Sequence, residues 1–149
     1  MSTPSIPDWV HKDHNDGWHG KISDEPDNPF KPEKGRYHMY IGLFCPFAHR
    51  ANLVRLLKGL DDFIDLSIVM PYPKGDDKGW PGWRFPASDS EYPNATVDKL
   101  YGSRYLHEIY FTADKEYKGR YSVPVLWDKK LETIVNNVSE DSRSGYDIR

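Results

Sequence analysis

The hydrophobic pattern of the chain predicts two strands joined by a helix before residue 71. Apolar and polar positions alternate over 36–42 and over 63–70, as in half-buried strands. Between them the period lengthens to that of a helix over 46–60, with Gly59 placed to end it. The predicted buried positions are Tyr37, Met39 and Ile41 in the first strand, Phe47, Ala51, Val54 and Leu57 in the helix, and Ile64, Leu66, Ile68 and Met70 in the second strand. This order predicts a parallel strand pair with a right-handed crossover.

The sequence over residues 71–95 predicts a long loop. Repeated prolines prevent regular structure over most of it, and its length exceeds that of ordinary connections. Trp80 and Trp83 lie in this loop. They either form a ligand surface or hold the loop against the body of the domain.

The rest of the chain predicts a second helix and then a hairpin. The helix pattern runs from Thr96, a suitable N-cap, to about Thr112, with Asp98 in its first turn. Strand patterns over 125–127 and 133–136 are close enough together to form a hairpin.

The N-terminal part of the chain is polar and shows no sustained hydrophobic pattern. Residues 1–35 are rich in Pro, Gly and Asp, and we expect an extended arm that packs little, followed by one domain over 36–149. His11, His14 and His19 could ligate a metal, but a solvated arm explains them better because no regular scaffold presents them.

Composition narrows the class of protein. A chain of 149 residues with net charge −3 is one domain or most of one, without the basic surface typical of nucleic-acid binding. No apolar run reaches the length of a membrane span, and residues 1–9 lack the pattern of a signal peptide. A single cysteine excludes an intramolecular disulfide and favours a reducing, cytoplasmic location.

That cysteine, Cys45, lies between the first predicted strand and the helix. If Pro46 is the first helical residue, Cys45 is the N-cap, and its sulfur faces the unpaired N–H groups and positive dipole of the first turn. Thiol pKa values fall at such positions. The dipole supplies only about 0.3–1 kcal/mol, against about 1.36 kcal/mol per pKa unit, so N–H···S contacts are expected to add to it. The alternative is an inert, buried thiol. His49, one turn later, either supports a thiolate or makes a structural hydrogen bond.

Several motifs together resemble one enzyme family. They are Cys-Pro-Phe-Ala-His-Arg at 45–50, Gly-Trp-Arg-Phe at 82–85, Leu-Tyr-Gly-Ser-Arg-Tyr-Leu at 100–106, Gly-Arg-Tyr-Ser-Val-Pro-Val-Leu-Trp-Asp at 119–128 and Thr-Ile-Val-Asn-Asn at 133–137. The chain resembles the glutathionyl-hydroquinone reductases, the Xi class of glutathione transferases, which are related to the Omega class. The resemblance implies an α/β, thioredoxin-like glutathione-binding domain of order βαβ-α-ββ. We expect its third helix and the all-helical C-terminal domain to be missing or truncated here.

The resemblance also implies site residues. Cys45 matches the catalytic cysteine, and Pro124 matches a cis proline whose preceding residue, Val123, offers its backbone to the cysteinyl part of glutathione. The remaining matches to glutathione-binding positions are Trp83, Arg120 and Ser139. The chain departs from the family pattern at Val138, where the family has a glutamate.

The implied activity is the reduction of glutathionyl-hydroquinones through a mixed disulfide between Cys45 and glutathione. Glutathione is then a substrate, aromatic glutathionyl conjugates are ligands, no metal is needed, and the full-length family allows a homodimer. Two alternatives stay open: a general thioltransferase or dehydroascorbate reductase, and a catalytically inactive truncated fragment with an interaction role or none.

Overall fold

The part of the chain that the structure describes forms one mixed sheet and two helices. The computed structural model describes residues 17–43, 45–71, 83–117 and 121–137, apart from the side chain of Phe47. Within them the elements are β1 (Tyr37–Ile41), α1 (Pro46–Leu57), β2 (Ile64–Ile68), α2 (Leu106–Ala113), β3 (Val125–Asp128) and β4 (Thr133–Asn136). The strand order is β2-β1-β3-β4. This confirms the predicted thioredoxin-like order of strands and helices.

The central strand β1 determines what lies beside the strand-to-helix corner. β1 pairs in parallel with β2 and antiparallel with β3, and all five of its residues are buried. The register places Tyr40, near the end of β1, opposite Val125, the first residue of β3. The corner that follows β1 and the loop that precedes β3 therefore lie at the same edge of the sheet.

Helix α1 begins where the sequence predicts, but its buried side matches the predicted one only in part. Gly59 has φ +67°, the left-handed conformation that ends a helix readily, as predicted. Ala51 is buried and Val54 packs against the core, as predicted, but Leu57 is 83% exposed, so its prediction as a buried residue is wrong. The other buried positions of the helix are Ala48 and Arg55. The reason is that Arg55 donates from Nε to the Ile64 carbonyl at 2.6 Å and so turns its own side of the helix toward β2. Across the described residues, neither helix is long and apolar enough to span a membrane.

The segment before β1 is part of the core. Trp18, Ile22 and Phe30 are at most 2% exposed. The Gly20 N–H donates to the Val135 carbonyl at 2.8 Å, and the Gly20 carbonyl accepts from the Asn136 side chain at 2.8 Å. The expectation of little packing is therefore wrong for residues 17–35, because this segment pairs with the free edge of β4 and delivers isolated apolar residues that show no period. His11 and His14 lie outside the described residues, and the domain boundary at residue 35 stays a prediction.

Helix α2 begins ten residues after the predicted N-cap. Asp98 does not occupy a first helical turn; its carboxylate accepts the backbone N–H groups of Leu100, Tyr101 and Ser103 at 3.0–3.3 Å. Thr96 accepts the Ile68 N–H at 3.0 Å. Both side chains thus organise a loop rather than a helix. The prediction fails because the residues that cap helices are the same ones that hold turns together.

Candidate active site

Cys45 occupies the N-cap of α1, as predicted. Its φ and ψ are −95° and 116°, the extended geometry of an N-cap, and Pro46 opens the helix. The Cys45 carbonyl accepts the His49 N–H at 2.9 Å, which is the first hydrogen bond of the helix. The side chain is partly buried. The sulfur is therefore held at the positive end of the helix dipole.

The sulfur does not contact the first-turn amides. The Cys45 side chain makes no capping hydrogen bond. Sγ instead lies 3.9 Å from the Val123 carbonyl oxygen. The expectation of N–H···S contacts is thus wrong for this arrangement. The physical reason is that a neutral thiol has a proton to donate, and a carbonyl oxygen is its natural acceptor.

The loop before β3 forms the wall next to Cys45. The Val123–Pro124 peptide bond is cis, as the resemblance implies. Val123 is 7% exposed, and its carbonyl is the one that faces Sγ. The structure therefore brings together three of the predicted site residues, Cys45, Val123 and Pro124.

Trp83 is fixed through its backbone. Its carbonyl accepts the Leu106 N–H at 2.8 Å, and the residues that follow bond to Met70 and Arg104. The side chain is half-buried against the hydrophobic core. This favours the interpretation that Trp83 holds the loop against the domain, and its contact with glutathione stays a prediction. Trp80 lies outside the described residues.

Arg120 and Ser139 also lie outside the described residues, so their roles stay predictions. His49 is exposed on α1. The two interpretations of its side chain therefore stay open.

Sequence reasoning missed Tyr110 and Asn137. Tyr110 is fully buried on α2, and its hydroxyl bonds to both Ser122 and Asn137. Burial raises the pKa of Tyr110, and the bonds to Asn137 and Ser122 oppose that rise. The only sequence signal was general: a tyrosine on a buried helix face needs a partner for its hydroxyl.

Comparison with known proteins identifies the family. The sequence model of the glutathione S-transferase N-terminal domain matches residues 44–143. Glutathionyl-hydroquinone reductase YqjG of Escherichia coli (strain K12) is 47% identical over 112 residues, which cover 75% of this chain and 32% of that protein. Glutathione S-transferase omega-like 2 of Schizosaccharomyces pombe is 44% identical over 146 residues, covering 95% of this chain and 44% of that protein. The chain thus spans less than half the length of these relatives.

Solved structures of glutathione transferases also resemble this chain. The Xi-class enzyme of Natrialba magadii superposes with a TM-score of 0.74 at 42% identity, over 84% of this chain and 36% of its own. The glutathione-bound structure of YqjG from Escherichia coli superposes with a TM-score of 0.71 at 45% identity, over 79% of this chain and 36% of its own. Both the sequence match and the arrangement around Cys45 point to one group. The chain therefore belongs to the glutathione S-transferase family, and it is similar to glutathionyl-hydroquinone reductase YqjG and to the Xi-class glutathione transferases.

Proposed function

We propose that this chain acts as a glutathione-dependent reductase of glutathionyl-hydroquinones, with Cys45 as its nucleophile. The observation that carries the proposal is the position of Cys45 at the N-cap of α1, with Sγ 3.9 Å from the Val123 carbonyl. This arrangement puts a thiol beside a backbone carbonyl that a peptide-like substrate can pair with. The homology to YqjG supports the choice of substrate.

Glutathione binds along the loop that precedes Pro124. The Val123 carbonyl accepts from the Cys45 thiol only while the thiol keeps its proton. When Cys45 ionises, it can no longer donate, and the amide N–H of the glutathione cysteinyl residue replaces it as the donor to Val123. Trp83, Arg120 and Ser139 hold the rest of the tripeptide, as the resemblance implies.

The thiolate is stabilised by α1 after the proton leaves. A rotation about the Cα–Cβ bond takes Sγ from the Val123 carbonyl toward the unpaired N–H groups of the first turn. These groups and the dipole favour a negative charge at the N-terminus of a helix, the dipole by about 0.3–1 kcal/mol. Binding of glutathione and ionisation of Cys45 therefore favour each other.

The reaction proceeds in two displacement steps. The Cys45 thiolate attacks the sulfur of the glutathionyl-hydroquinone, an S–S bond forms, and the sulfur–aryl bond breaks. The aryl carbon keeps the electron pair, takes up one proton from solvent and leaves as the free hydroquinone. A second glutathione, as thiolate, then attacks the glutathione sulfur of the mixed disulfide, which releases oxidised glutathione and restores the Cys45 thiolate. In total, one glutathionyl-hydroquinone and one glutathione thiol give the free hydroquinone and oxidised glutathione: the aryl carbon gains two electrons, and the thioether sulfur and the thiol sulfur lose two electrons as they form one disulfide.

Product analysis tests the proposal. The purified chain is incubated with a glutathionyl-hydroquinone and glutathione, and free hydroquinone and oxidised glutathione are quantified by chromatography. We expect equal amounts of the two products and no turnover above background for Cys45→Ser, whose hydroxyl is a far weaker nucleophile. Full activity of Cys45→Ser contradicts the proposal. Turnover of a small glutathione mixed disulfide without turnover of the aryl conjugate assigns the chain to the general thioltransferases instead.

A further inference from the structure

The hydroxyl of Tyr110 joins two separate loops at one edge of the sheet. It donates a hydrogen bond to the Ser122 carbonyl at 2.6 Å. It accepts the Ser122 N–H at 3.2 Å and the side-chain amide of Asn137 at 3.2 Å. A phenolic hydroxyl has one proton and two lone pairs, so these three bonds use all of its capacity.

The surroundings of Tyr110 prevent it from moving. The residue is 0% exposed. Its ring stacks on Tyr117 with centroids 5.0 Å apart and meets the edges of Trp18 at 5.8 Å and Tyr121 at 5.5 Å. A hydroxyl on a ring packed from several sides is a fixed point rather than an adaptable contact.

Asn137 is held from a second direction. Its side-chain oxygen accepts the Trp18 N–H at 2.8 Å, while its amide group donates to Tyr110. A Cβ added at Gly17 would lie 2.4 Å from that same oxygen, so the N-terminal segment packs tightly against the end of β4. Asn137 is thereby fixed in both position and orientation.

The two loops that Tyr110 joins carry residues of the proposed glutathione site. Ser122 directly precedes Val123, whose carbonyl lies 3.9 Å from the sulfur of Cys45. Asn137 lies two positions before Ser139, the residue matched to the γ-glutamyl end of glutathione. One buried hydroxyl therefore links the residue before Val123 with the residue that follows β4.

We propose that Tyr110 is a positioning residue for the glutathione site, because its hydroxyl fixes the loop before Pro124 relative to the end of β4. This inference rests on the proposed function. It adds that affinity for glutathione depends on a side chain that lies under the site and does not touch the ligand. It also implies that the placement of Val123 beside Cys45 depends on the same hydroxyl.

The test compares Tyr110→Phe with a matched control, Tyr37→Phe. Tyr37 is also a fully buried tyrosine whose hydroxyl donates to a backbone carbonyl, that of Lys31 at 2.5 Å. It begins β1, so it lies at the end of the strand remote from Cys45. Each variant loses one hydroxyl and keeps its ring, and circular dichroism sets conditions in which both are folded. The readouts are the dissociation constant for glutathione by calorimetry and the pH dependence of Cys45 alkylation by iodoacetamide.

We expect Tyr110→Phe to weaken glutathione binding about tenfold, the loss that accompanies a misaligned hydrogen bond. We also expect it to shift the pH profile of Cys45 alkylation, while Tyr37→Phe leaves both readouts unchanged. A Tyr110→Phe protein that is destabilised like the control but binds glutathione within about twofold of the parent overturns the proposal, since its role is then only structural.

A second variant keeps the test decisive if Tyr110→Phe does not fold. Asn137→Ala leaves the bonds between Tyr110 and Ser122 in place and removes the link from Tyr110 to the end of β4, together with the acceptor of the Trp18 N–H. It is expected to weaken glutathione binding without altering Cys45 alkylation, and unchanged binding overturns the proposal. If the parent chain does not bind glutathione at all, the proposed function fails, and the alkylation profiles of Tyr110→Phe and Tyr37→Phe still decide whether Tyr110 positions the loop beside Cys45.

Discussion

His38 makes the stability of the domain depend on pH. It lies on β1, is 2% exposed, and its Nε2 is 2.8 Å from the Ser67 hydroxyl oxygen. That oxygen already accepts the Lys99 N–H at 3.0 Å, so the hydroxyl proton is available to the ring nitrogen of a neutral imidazole. The folded structure is thus suited to the neutral form of His38.

The size of the effect follows from the pKa. Burial lowers the pKa of His38 from 6.5 to about 4; Asp98 and Asp65 oppose the shift, whereas Lys129 and Lys99 add to it. The unfolded chain takes up this proton near its ordinary pKa and the folded chain only near the lowered one. Folding free energy is therefore lost as the pH falls from about 6.5 to about 4, by about 3 kcal/mol in total.

Urea unfolding of His38→Gln against the parent measures this loss. The glutamine amide keeps a polar group near Ser67 but does not titrate. Between about pH 7 and about pH 4.5 we expect the parent to lose about 2 kcal/mol more unfolding free energy than the variant. The matched control, His49→Gln, replaces an exposed histidine on α1 and should follow the parent. Parallel pH profiles for His38→Gln and the parent would refute the reasoning.

Three further substitutions test the packing, each by chemical denaturation at neutral pH. Trp18→Ala should lower the free energy of unfolding by about 3–5 kcal/mol, because Trp18 is a 2% exposed core residue. A loss below about 1 kcal/mol would instead support the interpretation of this segment as a solvated arm. Asp128→Ala should cost about 3–5 kcal/mol, because it leaves the guanidinium of Arg36 buried without the partner that lies 2.6 Å away; an unchanged midpoint would contradict this. Gly20→Ala should cost about 1–3 kcal/mol, because the new Cβ would lie 2.7 Å from the Val135 carbonyl, and unchanged stability would show that the segment can shift.

The parts of the fold that were predictable have local causes. Proline at position 46 directly after Cys45 defines the start of α1, and Gly59 with φ +67° ends it. The strand patterns of the hairpin over 125–127 and 133–136 also depend on neighbours in sequence. The structure confirms each of these.

The errors arise where distant residues decide the outcome. Gly20 pairs with Val135, more than a hundred positions away, so no pattern within 17–35 could reveal that the segment belongs to the core. Arg55 turns one face of α1 toward β2 through a bond to Ile64. Asp98 suits a helix N-terminus and a tight loop equally well, and its bond to the buried Tyr40 hydroxyl at 3.0 Å selects the loop.

The candidate site also has a part that local sequence predicts and a part that depends on distant residues. The corner that carries Cys45 follows from local sequence, whereas the cis form of the Val123–Pro124 bond came from the resemblance. Tyr110 and Asn137 could not be identified, because their link depends on the packing of α2 against β4. Their importance is visible only from three hydrogen bonds that converge on one hydroxyl.

In the proposed reaction, Cys45 carries glutathione as a disulfide. A single turnover with excess protein and a glutathionyl-hydroquinone, without free glutathione, should stop after the first displacement. Intact-mass analysis with peptide mapping is then expected to find one glutathionyl group on Cys45, removable by added glutathione and absent from Cys45→Ser. Release of free hydroquinone with an unmodified Cys45 would contradict the account.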